Sequence, residues 1–139
     1  MANSPLKSNF QTYDGSELIA STGAQSMSGA KRGTNVTLTS TAASVAIDLA
    51  LSNNYSHTFT ESTTLAAPTN AVGGQSGVIF FQQHVSSPKT LAFNSFWKFP
   101  GGTPGTPVTA TNSAVDAMRY YIEPGGTFAI CQMINDVKT

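Results

Sequence analysis

Val45-Ala46-Ile47-Asp48-Leu49-Ala50-Leu51 alternates large apolar residues with small or polar ones without a break. Val45, Ile47, Leu49 and Leu51 fall on one face and Ala46, Asp48 and Ala50 on the other, the pattern of a half-buried β-strand. The alanines would suit a helix, but four apolar matches at a spacing of two outweigh them.

The same rhythm continues on both sides. Val36 and Leu38 alternate with Thr37 and Thr39, and Tyr55, His57 and Phe59 alternate with Ser56, Thr58 and Thr60. Val78-Ile79-Phe80-Phe81 is a continuous apolar run, which reads as a strand covered on both faces. Thr90 to Phe99 alternates again and places Leu91, Phe93, Trp97 and Phe99 on one side. Ala114 to Ile122 has a helical option through Val115, Met118 and Ile122. Tyr120-Tyr121-Ile122 running into Glu123-Pro124-Gly125-Gly126 favours a strand and a hairpin turn, with Thr127 to Ile134 as the return strand. Between Pro100 and Pro107, three prolines and three glycines break any ladder. No fixed-period repeat stands out. Seven or eight short strands and no convincing helix predict an all-β, jelly-roll-like antiparallel β-sandwich over residues 34–139.

Residues 1–33 are different. Their large apolar groups are Leu6, Phe10, Tyr13, Leu18, Ile19 and Met27, scattered with neither period through Ser, Gly, Asn, Gln and Ala. This reads as an extended N-terminal arm ordered by a partner, with a free tail as the alternative. Phe10, Tyr13, Leu18 and Ile19 are the expected contact residues, because a polar arm needs a few apolar anchors to offset its ordering entropy. Lys31 and Arg32 are the expected contacts to an acidic surface.

Composition narrows the function. Seven Lys plus Arg balance seven Asp plus Glu, and 34 of 139 residues are Ser or Thr. So few charges exclude a coiled coil, an acidic tail and a basic nucleic-acid binder. No apolar run approaches the roughly 18 residues of a membrane span, so no membrane association is expected. Met1-Ala2-Asn3-Ser4-Pro5 lacks a positive segment followed by an apolar one, so no secretory signal is expected.

Residues that carry chemistry are sparse. His57 and His84 stand 27 positions apart, and neither has a His, Cys or carboxylate at metal-ligand spacing. Cys131 lies in an alternating apolar stretch with no nearby cation to activate a thiolate, and reads as a small core residue. Gly73-Gly74-Gln75-Ser76-Gly77 lacks the lysine of a phosphate loop and the spacing of a serine elbow. Asp48 and Asp116 would form a glycosidase pair only if the fold brought them to one cleft. Phe93, Phe96, Trp97, Phe99, Tyr120 and Tyr121 would make a sugar platform if exposed; alternation sends Phe93, Trp97 and Phe99 to one face, and core is the expected place for the group.

One resemblance adds to this. Gly73-Gly-Gln-Ser-Gly77, the run Val78 to Phe81, Thr90 to Thr103, Ala114-Val-Asp-Ala117 and Tyr120-Tyr121 together resemble a β-module of tailed-bacteriophage structural proteins. Trp97-Lys98-Phe99-Pro100-Gly101-Gly102 is the most specific piece. With its short length and polar leader, the chain is similar to head decoration, or cement, proteins. The resemblance implies a non-enzymatic protein without cofactor or metal, made in the host cytoplasm and placed on the outer capsid surface of the virion. Its implied partner is the major capsid protein, with neither nucleic acid nor membrane. A homodimer on a two-fold position is expected, with a trimer on a three-fold position as the alternative. A carbohydrate-binding β-sandwich module of a tail fibre or secreted enzyme is the competing reading.

Overall fold

The computed structural model describes residues 33–102 and 109–137. Within them the chain winds between two sheets. It enters the first sheet as β1 (Asn35–Leu38) and crosses to the second as the short hairpin β2 (Ser40–Thr41) and β3 (Ser44–Val45). It returns as β4 (Asn54–Thr58), crosses again as β5 (Thr63–Leu65), returns as β6 (Ser76–Gln82) and crosses as β7 (Leu91–Phe93). The strand β8 (Trp97–Lys98) and the long hairpin β9 (Val115–Ile122) and β10 (Ala129–Val137) complete the first sheet. The orders are β1-β4-β6-β9-β10-β8 and β2-β3-β5-β7.

The expected all-β sandwich is present, but its sheets are mixed where antiparallel pairing was expected. The ladders β2–β3, β6–β9 and β9–β10 are antiparallel. The ladders β1–β4, β4–β6, β3–β5, β5–β7 and β8–β10 are parallel. Parallel neighbours need a crossover connection, and for β1–β4, β4–β6, β3–β5 and β5–β7 the opposite sheet supplies it in place of a helix. The result is three stacked coils closed by a hairpin. Register explains why no repeat is visible in the sequence. Asn35 pairs with Asn54 and Ser44 with Thr64, spacings of 19 and 20, but Asn54 pairs with Val78 and Thr64 with Ala92, spacings of 24 and 28.

The core lies between the sheets, and its rows follow the register. Val36, Tyr55, Ile79, Met118 and Met133 stand side by side, and so do Leu38, His57, Phe81 and Asp116. Val45 and Leu65 answer them from the second sheet, both fully buried. Phe59 stacks on Phe81 at 6.0 Å, and Trp97 meets Tyr120 edge-on at 5.9 Å. Burying each such ring contributes about 2–3 kcal/mol.

Three local expectations are corrected. The strand read through Leu51 ends early. Val45, Ile47 and Leu49 are buried, but the Asp48 carboxylate accepts the Ala50 N–H at 3.0 Å and turns the chain, leaving Leu51 exposed. Thr90 to Phe99 is two strands on different sheets, because Trp97 N–H closes a turn onto the Asn94 carbonyl at 3.0 Å. The run Val78 to Phe81 is covered on one face alone: Ile79 and Phe81 point into the core, while Phe80 points out and is 44% exposed.

Candidate functional site

Among the described residues, the buried polar side chains are His57, Thr63, Gln83 and Asp116. Gln83 Nε2 donates to the Lys89 carbonyl at 2.9 Å, and its Oε1 accepts from His84 N–H and Lys89 N–H, each at 2.8 Å. That amide holds the loop between β6 and β7. The Asp116 carboxylate accepts from Thr109 N–H at 2.5 Å, Thr109 Oγ1 at 2.8 Å and Asp136 N–H at 2.6 Å. It fixes the approach to β9 and the bulge in β10, where the register shifts between Ile134 and Val137. His57 Nδ1 lies 3.0 Å from the Leu38 carbonyl, so this nitrogen carries the proton and donates across the first two coils. His57 Nε2 and Thr63 Oγ1 have no hydrogen-bond partner among the described residues.

Asp48 and Asp116 serve separate structural tasks. The Asp48 carboxylate accepts from Asn70 Nδ2 at 2.7 Å and from Ala50 N–H, and these bonds, Asn70 first, hold its pKa below the ordinary value. No partner is shared with Asp116, whose three donors come from Thr109 and Asp136. A cavity of about 480 Å³ opens against β1, with Val36, Leu38, Ile47, Asp48 and Tyr55 in its wall. The Tyr55 hydroxyl in that wall sits 2.6 Å from the Asp48 carbonyl and 2.7 Å from that of Ser52, so it is already engaged. No group of three or more His, Cys, Asp or Glu gathers to hold a metal among the described residues.

Cys131 is buried, and that burial pushes its thiol up to about 12 against a weaker opposing bond from the Lys98 backbone. Trp97 is 3% exposed and donates its indole N–H to the Ala66 carbonyl at 2.8 Å, which ties the two sheets. Phe99 is also buried, and Phe93 meets it at 4.8 Å. Trp97, Phe99 and Tyr120 are core, with Phe93 and Phe96 packed half-buried against it, but Tyr121 departs from the expectation: it points to the outer face of its sheet because its neighbour Tyr120 points inward. The Pro100–Gly102 segment that follows is a tight turn closed by Gly102 N–H on the Phe99 carbonyl at 3.0 Å, with Gly101 and Gly102 at φ of 76° and 75°, where a side chain would be strained. The arm residues Phe10, Tyr13, Leu18, Ile19, Lys31 and Arg32 lie outside the described residues.

What the sequence reading missed is a surface. The outer face of the first sheet is polar over β1 and β4, which present Asn35, Thr37, Asn54, Ser56 and Thr58. Over β6, β9 and β10 it turns apolar. Phe80, Ala117 and Ile134 stand in one row. Tyr121 and Ile130 pair four residues along, beyond the row of Arg119 and Gln132. Ile130 is 54% exposed, Phe80 and Tyr121 44%, Ile134 36%. The unbroken apolar run at β6 was the available signal, and it read as double coverage. Comparison with family models, curated proteins and solved structures gives no match.

Proposed function

We propose that this chain is a structural virion protein that binds the outer capsid surface and bridges neighbouring major capsid subunits. The observation that supports this most is the contrast between interior and surface. The buried carboxylate Asp116 and the buried amide of Gln83 are committed to holding backbone, while large apolar side chains stand exposed together on one sheet face. A protein whose task is adhesion needs a stiff frame and a sticky face, and no convergent reactive groups. The residues that resemble phage head decoration proteins, Trp97 to Gly102 among them, belong to the frame. The arm, residues 1–33, supplies a second contact that crosses to the adjacent capsomer; fully extended, it reaches at most about 110 Å.

The test is to add purified protein to capsids that lack it and measure occupancy and resistance of the particle to heat. Saturable binding with a raised disruption temperature supports the reading. Absence of binding, with binding to isolated glycans instead, replaces it by the carbohydrate module.

A further inference from the structure

We infer that the outer face of β6, β9 and β10 docks on a protein surface that is apolar at its centre and carries carboxylates. This rests on the reading above for the identity of the partner, the major capsid protein. The half of the sheet formed by β1 and β4 needs no cover, since Asn35 Nδ2 donates to Ser56 Oγ at 2.9 Å across a polar surface. The other half exposes Phe80 and Ile134 in one row and Tyr121 and Ile130 in another, with the row of Val78, Arg119 and Gln132 between them. Large side chains at those exposures sum to an apolar area of a few hundred Å² in two groups flanking Arg119, on the scale of interaction sites on soluble proteins. With a polar rim it approaches the roughly 800 Å² per partner of a standard interface.

Charge selects the occupant. Arg119 stands in the row Val78–Arg119–Gln132, between the Phe80 row and the Tyr121 row. Lys98 stands beside Ile130 at the edge. Among the described residues, no carboxylate is in register on this face; Asp136 lies in the bulge beyond the Phe80 row, and Glu123, past the end of β9, is engaged by Gly125 N–H, Thr127 N–H and Thr127 Oγ1. A second copy packed on the patch would bring the same cations to it, because a two-fold interface presents one patch to itself. Burying an arginine without a partner is strongly unfavourable. A partner that sets a carboxylate opposite Arg119 gains a charge-assisted, two-pronged bond in a desolvated setting, the kind of contact that dominates interfaces.

The full chain and the variants Arg119→Glu and Phe80→Ser are titrated onto capsids lacking the protein. Thr37→Glu on the polar half serves as control, and melting temperatures verify folding. The expected result is that Thr37→Glu binds like the parent while each face variant weakens binding roughly thirtyfold. Parent affinity should also fall as salt rises. Parent-like binding by folded face variants overturns the docking face and leaves the capsid reading standing. Failure of the parent chain to bind overturns the capsid reading and, with it, the partner named here. Sedimentation of the free chain supplies the last arm: a dimer that Phe80→Ser dissolves assigns the face to a second copy and overturns the acidic partner.

Discussion

Tyr120 donates its phenolic hydrogen to the Asn53 carbonyl at 3.0 Å, joining residues 67 positions apart. The same carbonyl accepts Val78 N–H at 3.1 Å, so one oxygen ties the closing hairpin to the entry of the second coil and to the third. Gly77 makes the approach feasible. A Cβ there would lie 1.7 Å from the Asn53 oxygen and 2.6 Å from the Tyr120 hydroxyl.

Two substitutions separate the bond from the space it occupies. Tyr120→Phe removes one hydrogen bond and keeps the ring in the core, so it should cost about 1 kcal/mol. Gly77→Ala drives a methyl into backbone and should cost roughly 3 kcal/mol or more, or prevent folding. Urea unfolding of both variants, with the slope compared to the parent, measures the difference.

Trp97→Ala should destabilise the protein by roughly 3–5 kcal/mol, through lost burial and the cavity left behind. Trp97→Phe keeps most of the packing but leaves the Ala66 carbonyl without its donor, at about 1–2 kcal/mol. A thermal melt of Trp97→Ala that matches the parent would contradict the placement of this ring between the sheets.

The two mid-chain aspartates should respond differently. Asp116→Ala leaves Thr109 N–H, Thr109 Oγ1 and Asp136 N–H without their acceptor and should cost roughly 2–4 kcal/mol. Asp48 is half-buried and accepts both of its bonds on one oxygen, which Asp48→Asn keeps, so that variant should change stability little. Hydrogen exchange at Thr109 and Asp136 should accelerate in the first variant alone.

Cys131 gives a pH signature. Its thiol is ordinarily near 9 and is held up to about 12 in the fold, so between these values the folded chain keeps a proton that the unfolded chain has lost. Stability therefore falls as pH rises from about 9 to about 12. Burial raises the pKa of the Tyr120 phenol as well, and that shift acts with the same sign. Alkaline denaturation of Cys131→Ala should show a shallower decline than the parent. In the native protein the thiol should resist a disulfide-exchange reagent at pH 8 and react once urea unfolds the chain.

The sequence by itself determined most of the side chains that turn inward, but not where each strand ends, as Leu51 and the break between Thr90 and Phe99 show. Val45, Ile47 and Leu49, Tyr55, His57 and Phe59, and the pair β9 and β10 all follow from alternation, because a strand exposes successive side chains to opposite faces whatever it pairs with. Pairing direction lay beyond that signal. Alternation is the same in parallel and antiparallel ladders, and the coil spacing drifts from 19 to 28 residues as the loops lengthen, so no period marks the coils. Only the tertiary structure decided that Phe80, Ala117 and Ile134 meet on an outer face. Those three residues come from three strands, and the hairpin of β9 and β10 lies beside β6 because Tyr120, Met118 and Ile122 complete the core on the opposite side. A contiguous patch is a property of neighbours across the sheet, which hydrogen-bond register sets and chain order does not.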